Sequence, residues 1–213
     1  MKLIDRLRQH RLRKDERGLA ATEFALIAPL LITIFIGLIE ASNYVYANQK
    51  VESSAANVLN IINQQSQPSL DDIQRIAMAV PEVAKPLQVG GGDFRVVYTA
   101  IQRDKPGRTA DVFPEPYVLW QESYGNPGLG SSVLRYSRGG SKEQNKLNPG
   151  DLQGLQFTPG DQVIAVEVYI RYKPTIQTGF SPKYDTAMYY LNFSRPRKGS
   201  FSMSPREKSE LTN

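Results

Sequence analysis

A glycine and a carboxylate stand at the start of a long apolar run: Gly18 precedes the run, and Glu23 lies within it. If the peptide bond after Gly18 is cut, Leu19 gains a free α-amino group, which is largely cationic at neutral pH. Glu23 lies four residues further along a helix, or about 6 Å of axial rise. A neighbouring subunit shifted by that distance would place its Leu19 amine beside this carboxylate, and the two charges would neutralise each other in a low dielectric. Gly18, Leu19 and Glu23 are therefore candidates for processing and for assembly.

The apolar run extends from Leu19 to Ile39 and is interrupted only by two threonines and Glu23. About 20 residues at about 1.5 Å rise cross a hydrocarbon core of about 30 Å, so the sequence predicts a transmembrane helix over 19–40. Seven Lys or Arg residues lie within residues 1–18, a basic leader, whereas Lys50 is the only one in the twenty positions after Ile39. This asymmetry predicts a cytoplasmic N-terminus and an outer location for the chain beyond the span.

Pro29 lies inside the predicted span. It has no N–H to donate to the carbonyl of Ala25, and its ring crowds that carbonyl, so we expect a kink or a local loosening of the helix. Phe24 to Ile39 is the predicted packing segment of this helix.

Catalytic and metal-binding residue types are scarce. The sequence has no cysteine, and its one histidine, His10, lies in the leader. A serine triad or a histidine metal cluster in the outer domain is therefore excluded, and the domain must be stable without disulfides. Asp71 and Asp72 are better explained as first-turn acids of a helix than as metal ligands. We expect no enzymatic activity, no cofactor and no metal.

The charge distribution argues against a nucleic-acid partner. The formal net charge is +5, with 26 basic and 21 acidic residues. The leader contains seven of the basic and three of the acidic residues, so removing it leaves a net charge of +1. The basic stretch is then a topology determinant at the membrane rather than a phosphate-binding surface.

The basic leader, Gly18, four small or apolar residues, Glu23 and the long apolar helix resemble the class III signal of type IV pilins and pseudopilins. The string from Gly18 to Pro29 (GLAATEFALIAP) is similar, more specifically, to the TadE-like family of tight-adherence (Tad, Flp) pilus proteins. The likeness is densest over 16–40, with a weaker echo in the strand-then-proline segment from Val168 to Pro174. Major pilins of these systems are very short and usually have Tyr after the Glu, whereas this chain has Phe24 and a large outer domain.

The resemblance implies a minor pseudopilin that a prepilin peptidase cuts between Gly18 and Leu19. It assigns Glu23 the role of intersubunit charge partner, and it implies that a loosened turn at Pro29 helps the helix leave the bilayer. The implied partners are other minor pseudopilins, the major Flp pilin, membrane lipid and, indirectly, an assembly ATPase and inner-membrane platform proteins. The implied task is to initiate or cap a pilus that serves adhesion and biofilm formation.

The remaining sequence predicts an α+β outer domain over 41–195. Apolar residues every three or four positions predict a stalk helix over 41–65 that covers a sheet; they are Tyr44, Ala47, Val51, Ala55, Val58 and Ile62. Ser69 and Asp72 have capping-box spacing, which predicts a short helix that Pro81 ends. Antiparallel strands are predicted at Phe94 to Ile101, Tyr117 to Glu122, Val163 to Tyr172 and Ala187 to Phe193.

Two irregular segments complete this organisation. Residues 125–160 are rich in Gly, Asn, Ser and Pro, and a loop of this length is usually functional or mobile. Residues 196–213 mix Arg, Lys, Ser and Pro without periodicity, which is typical of a flexible tail.

Two alternatives remain for the N-terminal segment. A secretory signal peptide also has a basic head and an apolar core, but this run is longer, holds Glu23 near its start and lacks a clean small-x-small exit before Glu40. The second alternative is an uncleaved single-pass anchor whose outer domain binds a partner through strand aromatics. The aromatic residues considered for that face are Tyr98, Tyr117, Trp120, Tyr124, Tyr136, Tyr169 and Tyr172.

Overall fold

The computed structural model describes residues 17–65, 67–106, 113–174 and 186–197. Most of the basic leader and most of the predicted tail lie outside these ranges. The described chain begins with one continuous helix, α1, from Arg17 to Ile62, which is 46 residues long and includes Pro29. The predicted membrane segment and the predicted stalk are therefore one element.

The second half of α1 is packed, and the predicted apolar stripe accounts for it. Ala47, Val51, Ala55 and Ile62 are fully buried and Val58 is 2% exposed, whereas Tyr44 at the start of the stripe is half exposed. Since these positions recur with the helical period, one face of α1 covers the sheet and the opposite face stays in solvent.

Two short helices follow. Helix α2 spans Leu70–Met78 and opens with the predicted capping box, in which the Ser69 N–H donates to Asp72 Oδ2 at 2.9 Å and the Asp72 N–H donates to Ser69 Oγ at 3.2 Å. The prediction that Pro81 ends this helix is wrong. Helix α2 ends before Ala79, and Pro81 instead lies in the first turn of helix α3, Val80–Val83. Proline is tolerated there because first-turn N–H groups have no intrahelical partner.

The strands form one four-stranded antiparallel sheet of order β2-β1-β3-β4. Strand bounds agree with the sequence prediction to within a few residues. They are β1 Phe94–Gln102, β2 Tyr117–Gly125, β3 Gln162–Tyr172 and β4 Thr186–Ser194. The fold is therefore α+β, with a long N-terminal helix and a small antiparallel sheet, as predicted.

The main core lies between the sheet and the three helices. Strand β3 contributes alternate apolar residues to it: Ile164, Val166, Val168, Ile170 and Tyr172. The residues of α1 from Ala47 to Ile62 face β3 and β4, while α2 faces β2 and β1. Tyr98 at the centre of β1 is fully buried, and its hydroxyl donates to the carbonyl of Ile73 at 3.2 Å.

The opposite face of the sheet is also covered, which the sequence analysis did not anticipate. Residues 126–161 form no strand or α-helix; they contain two short 3₁₀ turns, Pro127–Leu129 and Pro149–Leu152, and an isolated antiparallel bridge from Lys146 to Tyr117. This segment nevertheless contributes four buried apolar side chains to a second core: Leu134, Leu147, Leu152 and Phe157. It is a packed layer over the sheet, which we call the cover segment.

We expect truncation at Ile62 to destabilise the outer domain strongly, because this side chain is fully buried between α1 and the sheet. Ile62→Ala should lower the free energy of unfolding by about 2–5 kcal/mol, the usual cost of such a cavity. Ile61→Ala is the matched control, since Ile61 is 42% exposed, and it should cost less than about 1 kcal/mol. Denaturant titration of the detergent-solubilised protein measures both, and equal losses would contradict the described packing.

Candidate functional site

The first half of α1 exposes a large apolar surface. Its exposed large side chains run from Leu19 to Ile39 and include Phe24, 68% exposed, and Leu26, 80% exposed. Among the described residues, this helix is the one element long and apolar enough to cross a membrane; its most apolar window has a mean hydropathy of 2.4 and none of it is buried. Exposed apolar patches of this extent mark contact with lipid or with another protein.

Glu23 lies on this apolar surface and is itself exposed. Within the described part of the chain, no side chain forms an ion pair or hydrogen bond with its carboxylate. The hydroxyl of the neighbouring Thr22 donates to the carbonyl of Leu19 at 2.8 Å, so it does not donate to Glu23. An ionised carboxylate inside a bilayer costs a few kcal/mol, less near the helix end, so a carboxylate in such surroundings favours a cationic partner, which the described residues do not supply.

Gly18, Leu19, Phe24 and Pro29 occupy the same exposed stretch of helix. At Gly18, no described atom lies within 4 Å of the position that a Cβ would occupy. The described part of the fold therefore contains no contact that requires glycine there. At Pro29, the helix continues without a break, and the Thr33 hydroxyl donates to the Pro29 carbonyl at 2.8 Å.

A hydrogen bond and a ring contact connect the exposed half of α1 to the outer domain. The Tyr172 hydroxyl, at the end of β3, donates to Glu40 Oε1 at 2.7 Å. Its ring meets the Tyr44 ring edge to face, with centroids 5.7 Å apart. Burial, followed by the nearby Glu40 carboxylate, raises the pKa of Tyr172, so the hydroxyl stays protonated as a donor. We call these three residues the junction.

Glu167 is the most unusual charged group of the outer domain, because it is fully buried in the middle of β3. Its carboxylate accepts hydrogen bonds from Ser132 Oγ, from the Val133 N–H at 2.8 Å and from the Tyr189 hydroxyl at 3.1 Å. The Tyr169 hydroxyl donates to the Ser131 carbonyl at 2.7 Å, and its oxygen lies 3.3 Å from Glu167 Oε1. A buried carboxylate is tolerable only with such partners, and here they connect the sheet to the cover segment.

Other polar contacts hold the cover segment beside Glu167. The Gln121 amide nitrogen lies 2.7 Å from the Leu134 carbonyl oxygen, and the Arg95 guanidinium donates to the carbonyl of Gly130. A Cβ at Gly130 would lie 2.6 Å from the Tyr169 ring, so the backbone comes this close only because residue 130 is glycine. These contacts replace regular hydrogen-bond ladders in an irregular layer.

Glu167 and its partners are residues that sequence reasoning missed. The alternation of β3 correctly assigned Glu167 to the face opposite the main core, and a charged residue there predicts an exposed face. The one available signal was the Ser132–Val133 pair in a long polar segment, and it does not point to Glu167 without the fold.

The proposed aromatic binding face is not present in the structure. Tyr98, Tyr117, Trp120, Tyr169 and Tyr172 are all at most 6% exposed. Tyr124 and Tyr136 are only partly buried; Tyr124 packs against the main core and Tyr136 against the second core. The strand aromatics therefore serve mainly as core residues, and their burial disfavours the alternative in which they form an exposed binding face. Within the described ranges, no group of three His, Cys, Asp or Glu side chains is arranged to hold a metal ion.

Comparison with known protein families gives one match. Residues 18–58 match the family described as TadE-like protein. This range begins at Gly18, contains Glu23 and Pro29, and ends within the packed half of α1, and it agrees with the resemblance inferred from the sequence. No curated protein and no solved structure matches the chain significantly.

We expect Glu167→Gln to loosen the cover segment. The amide has one acceptor oxygen where the carboxylate has two, and its NH₂ group would face the groups that donate to Glu167. The free energy of unfolding should fall by about 2–4 kcal/mol. Amide hydrogen exchange should accelerate over 131–134 first. Glu115→Gln is the control, since the Glu115 side chain is 43% exposed, and should change stability by less than about 0.5 kcal/mol. Unchanged exchange over 131–134 would contradict the assigned role of Glu167.

Proposed function

We propose that this chain is a minor pseudopilin of a Tad-type pilus, that a prepilin peptidase cuts it between Gly18 and Leu19, and that it helps to initiate or cap the pilus. The observation that carries the proposal is the exposed apolar half of α1, with Glu23 five residues after Gly18 and no partner for its carboxylate among the described residues. The match of residues 18–58 to the TadE-like family supports it.

The absence of any packing demand at Gly18 supports a recognition role for this glycine. Since a side chain there would meet no described atom within 4 Å, close packing within the described part of the chain does not explain the residue. A peptidase that accepts only a small residue before the scissile bond explains it. Hydrolysis then releases the basic leader and leaves the amine of Leu19 at the start of the helix.

The carboxylate of Glu23 supplies the reason for assembly in one register. Each inserted copy carries a carboxylate near one end of its apolar helix, at a cost in free energy. After cleavage each copy also carries an amine about 6 Å away along the axis. Copies staggered by that distance pair the two charges, and any other stagger leaves both unpaired. Phe24 and the apolar side chains after it provide the surrounding contact surface.

The outer domain favours a minor rather than a bulk subunit. The sheet, the helices and the cover segment enclose two large cores. A domain of this size is much larger than the short major pilins that the resemblance describes. We place the chain in a bacterial inner membrane, crossing once, with a cytoplasmic N-terminus and the domain in the periplasm or on an extracellular pilus. Its partners would be the peptidase, other minor pseudopilins, the major Flp pilin and, indirectly, the platform proteins and ATPase. In this role the chain is a structural component and not an enzyme.

The uncleaved anchored module is the weaker alternative. It requires an exposed binding face on the outer domain, and most of the strand aromatics that could form such a face are buried. It also leaves the Gly18–Glu23 spacing without a purpose.

Gly18→Val should block processing, because the peptidase site must accommodate the residue before the cut. The intact mass of the protein recovered from host membranes should then include residues 1–18, whereas the wild type should begin at Leu19. Gly37→Val is the matched control, since Gly37 lies in the same helix and also has no described atom near its Cβ position. Normal cleavage of Gly18→Val would refute the processing proposal.

Glu23→Leu should be inserted and cut but should fail to join an assembly, because the partner amine loses its carboxylate. We expect its recovery with sheared pili to fall by about tenfold or more, the equivalent of about 1.4 kcal/mol. Thr22→Val changes the neighbouring residue and should assemble normally. Wild-type incorporation of Glu23→Leu would remove the charge-pairing explanation of the stagger.

A further inference from the structure

The two edges of the sheet differ in how they are covered. At β2, the cover segment bonds to the backbone of the strand and of the residue before it. The Val118 N–H donates to the Asn145 carbonyl at 2.9 Å, and the Leu147 N–H donates to the Pro116 carbonyl at 3.0 Å. At β4, no backbone hydrogen bond connects the strand to a described segment other than β3. In the described part of the chain, β4 is therefore an open edge.

The alternation of the sheet shows which backbone groups lie along this edge. The Arg171 N–H donates to the Asp93 carbonyl at 2.8 Å, on the β1 side of β3. Successive residues of a strand direct their backbone groups to opposite sides, so the preceding Ile170 bonds to its pairing partner Met188 in β4. Every second residue of β4 then directs its N–H and C=O away from the sheet. These outward residues are Ala187, Tyr189, Leu191 and Phe193.

The Phe193 N–H supports this assignment. It donates to the Oδ1 atom of Asn192, a side chain of the same strand, at 2.9 Å. A donor in the ladder with β3 would have a carbonyl of β3 as its partner instead. Among the described residues, the outward N–H groups of Ala187, Tyr189 and Leu191 have no such side-chain acceptor. These three donors and their carbonyls are available to an added strand.

The open edge lacks the usual protection against strand addition. Strand β4 has nine residues without a charge or a proline, and its pairing with β3 contains no register shift. Natural sheets protect their edges with charged residues, proline, bulges or a covering segment. Arg195, just after the strand, is paired with Asp161 at 3.1 Å. The edge therefore suits an uncharged strand.

Helix α1 runs beside β4 in the same direction. The junction connects Glu40 to the end of β3, which is paired with the start of β4. Further along, Glu52 accepts a hydrogen bond from the Tyr190 hydroxyl at 2.9 Å, and the Asn63 carbonyl accepts one from the Arg197 N–H at 3.4 Å. A subunit whose apolar helix packs beside α1 is therefore held next to the element that flanks the open edge.

A second copy of this chain does not fit the open edge. All three strand pairings of the sheet are antiparallel. Continuing that order with β4 of a second copy would direct the two α1 helices in opposite directions, because α1 follows β4. Copies inserted from the same side of one membrane cannot adopt this arrangement. The other edge of a second copy, β2, is already bonded to its own cover segment.

We propose that the open edge of β4 binds an extended, uncharged segment of a different subunit of the same assembly, which adds a fifth strand to the sheet. The backbone groups of Ala187, Tyr189 and Leu191 form the new ladder. The added strand also covers Tyr190, which is half-buried. The proposal rests on the proposed function, because the partner is a neighbour in the membrane, but it does not require cleavage after Gly18.

Site-specific photo-cross-linking in host membranes tests this proposal. The photoreactive residue p-benzoylphenylalanine in place of Tyr190 lies beside the open edge, and in place of Tyr124 it is the matched control on β2. Both tyrosines are partly buried against the main core. The Tyr190 position should give a product that mass spectrometry maps to an uncharged segment of a different subunit with its own N-terminal apolar helix. The Tyr124 position should not.

Ala187→Pro should lower the yield of this product by about tenfold, because the ring removes an outward donor and obstructs the added strand. No bond to β3 is lost, since proline is tolerated where the N–H of an edge strand points outward. Ser123→Pro is the matched control: its N–H also points outward, but on β2, and the yield should equal that of the wild type. Amide exchange over 131–134 at the wild-type rate shows that each variant is folded.

Asn192→Lys is a second variant that keeps every backbone donor of β4. It adds a charge at the open edge, and it should also lower the yield. An unchanged yield in Ala187→Pro and Asn192→Lys would overturn the proposal. So would the absence of a product from the Tyr190 position, a cross-linked dimer of this chain or a cross-link within one chain. The intact mass of the same samples shows whether the chain begins at Leu19, so failure of strand addition is distinguishable from failure of processing.

Discussion

The rest of the structure depends on the continuity of α1, which joins an exposed apolar half, long enough to cross a membrane, to a half that is packed against the sheet. A helix meets all of its internal backbone hydrogen bonds within itself, so the same geometry suits hydrocarbon and protein core. Only the side chains distinguish the two halves. Before Glu40 they are apolar on every face apart from Glu23 and two threonines; from Ala47 onward they are apolar on one face and polar on the other. The change from one pattern to the other locates the junction.

In the outer domain, both faces of the sheet are covered. One face lies against helices, whose backbone N–H and C=O groups are paired within each helix. The other lies against an irregular segment, whose backbone groups need partners from elsewhere. Glu167, Gln121 and Arg95 supply acceptors and donors to that backbone. Polar residues of the sheet that look like surface residues in the sequence are thus the means by which the cover segment is held.

The sequence was most informative where local physics decides the outcome. The period of α1, the capping box at Ser69 and the alternation of β3 each depend on near neighbours, and all three predictions are confirmed. It was least informative where distant segments meet. A period of two separates the faces of a strand but does not reveal what covers the second face, so the burial of Glu167 was missed. The roles of Gly18 and Glu23 rest on spacing alone and stay predictions, because no described side chain packs against them.

The helical phase of α1 at the junction determines the direction in which the outer domain projects relative to Glu23. Because α1 is unbroken and its second half is fixed to the sheet, the angle about the helix axis between Glu23 and the domain depends only on the intervening residues. Glu23 and Ala47 are separated by about 240° at about 100° per residue in an ideal helix. Inserting one residue between them would turn the whole domain by about 100°. The length of this segment therefore specifies the side on which the domain projects when neighbouring helices surround the apolar half.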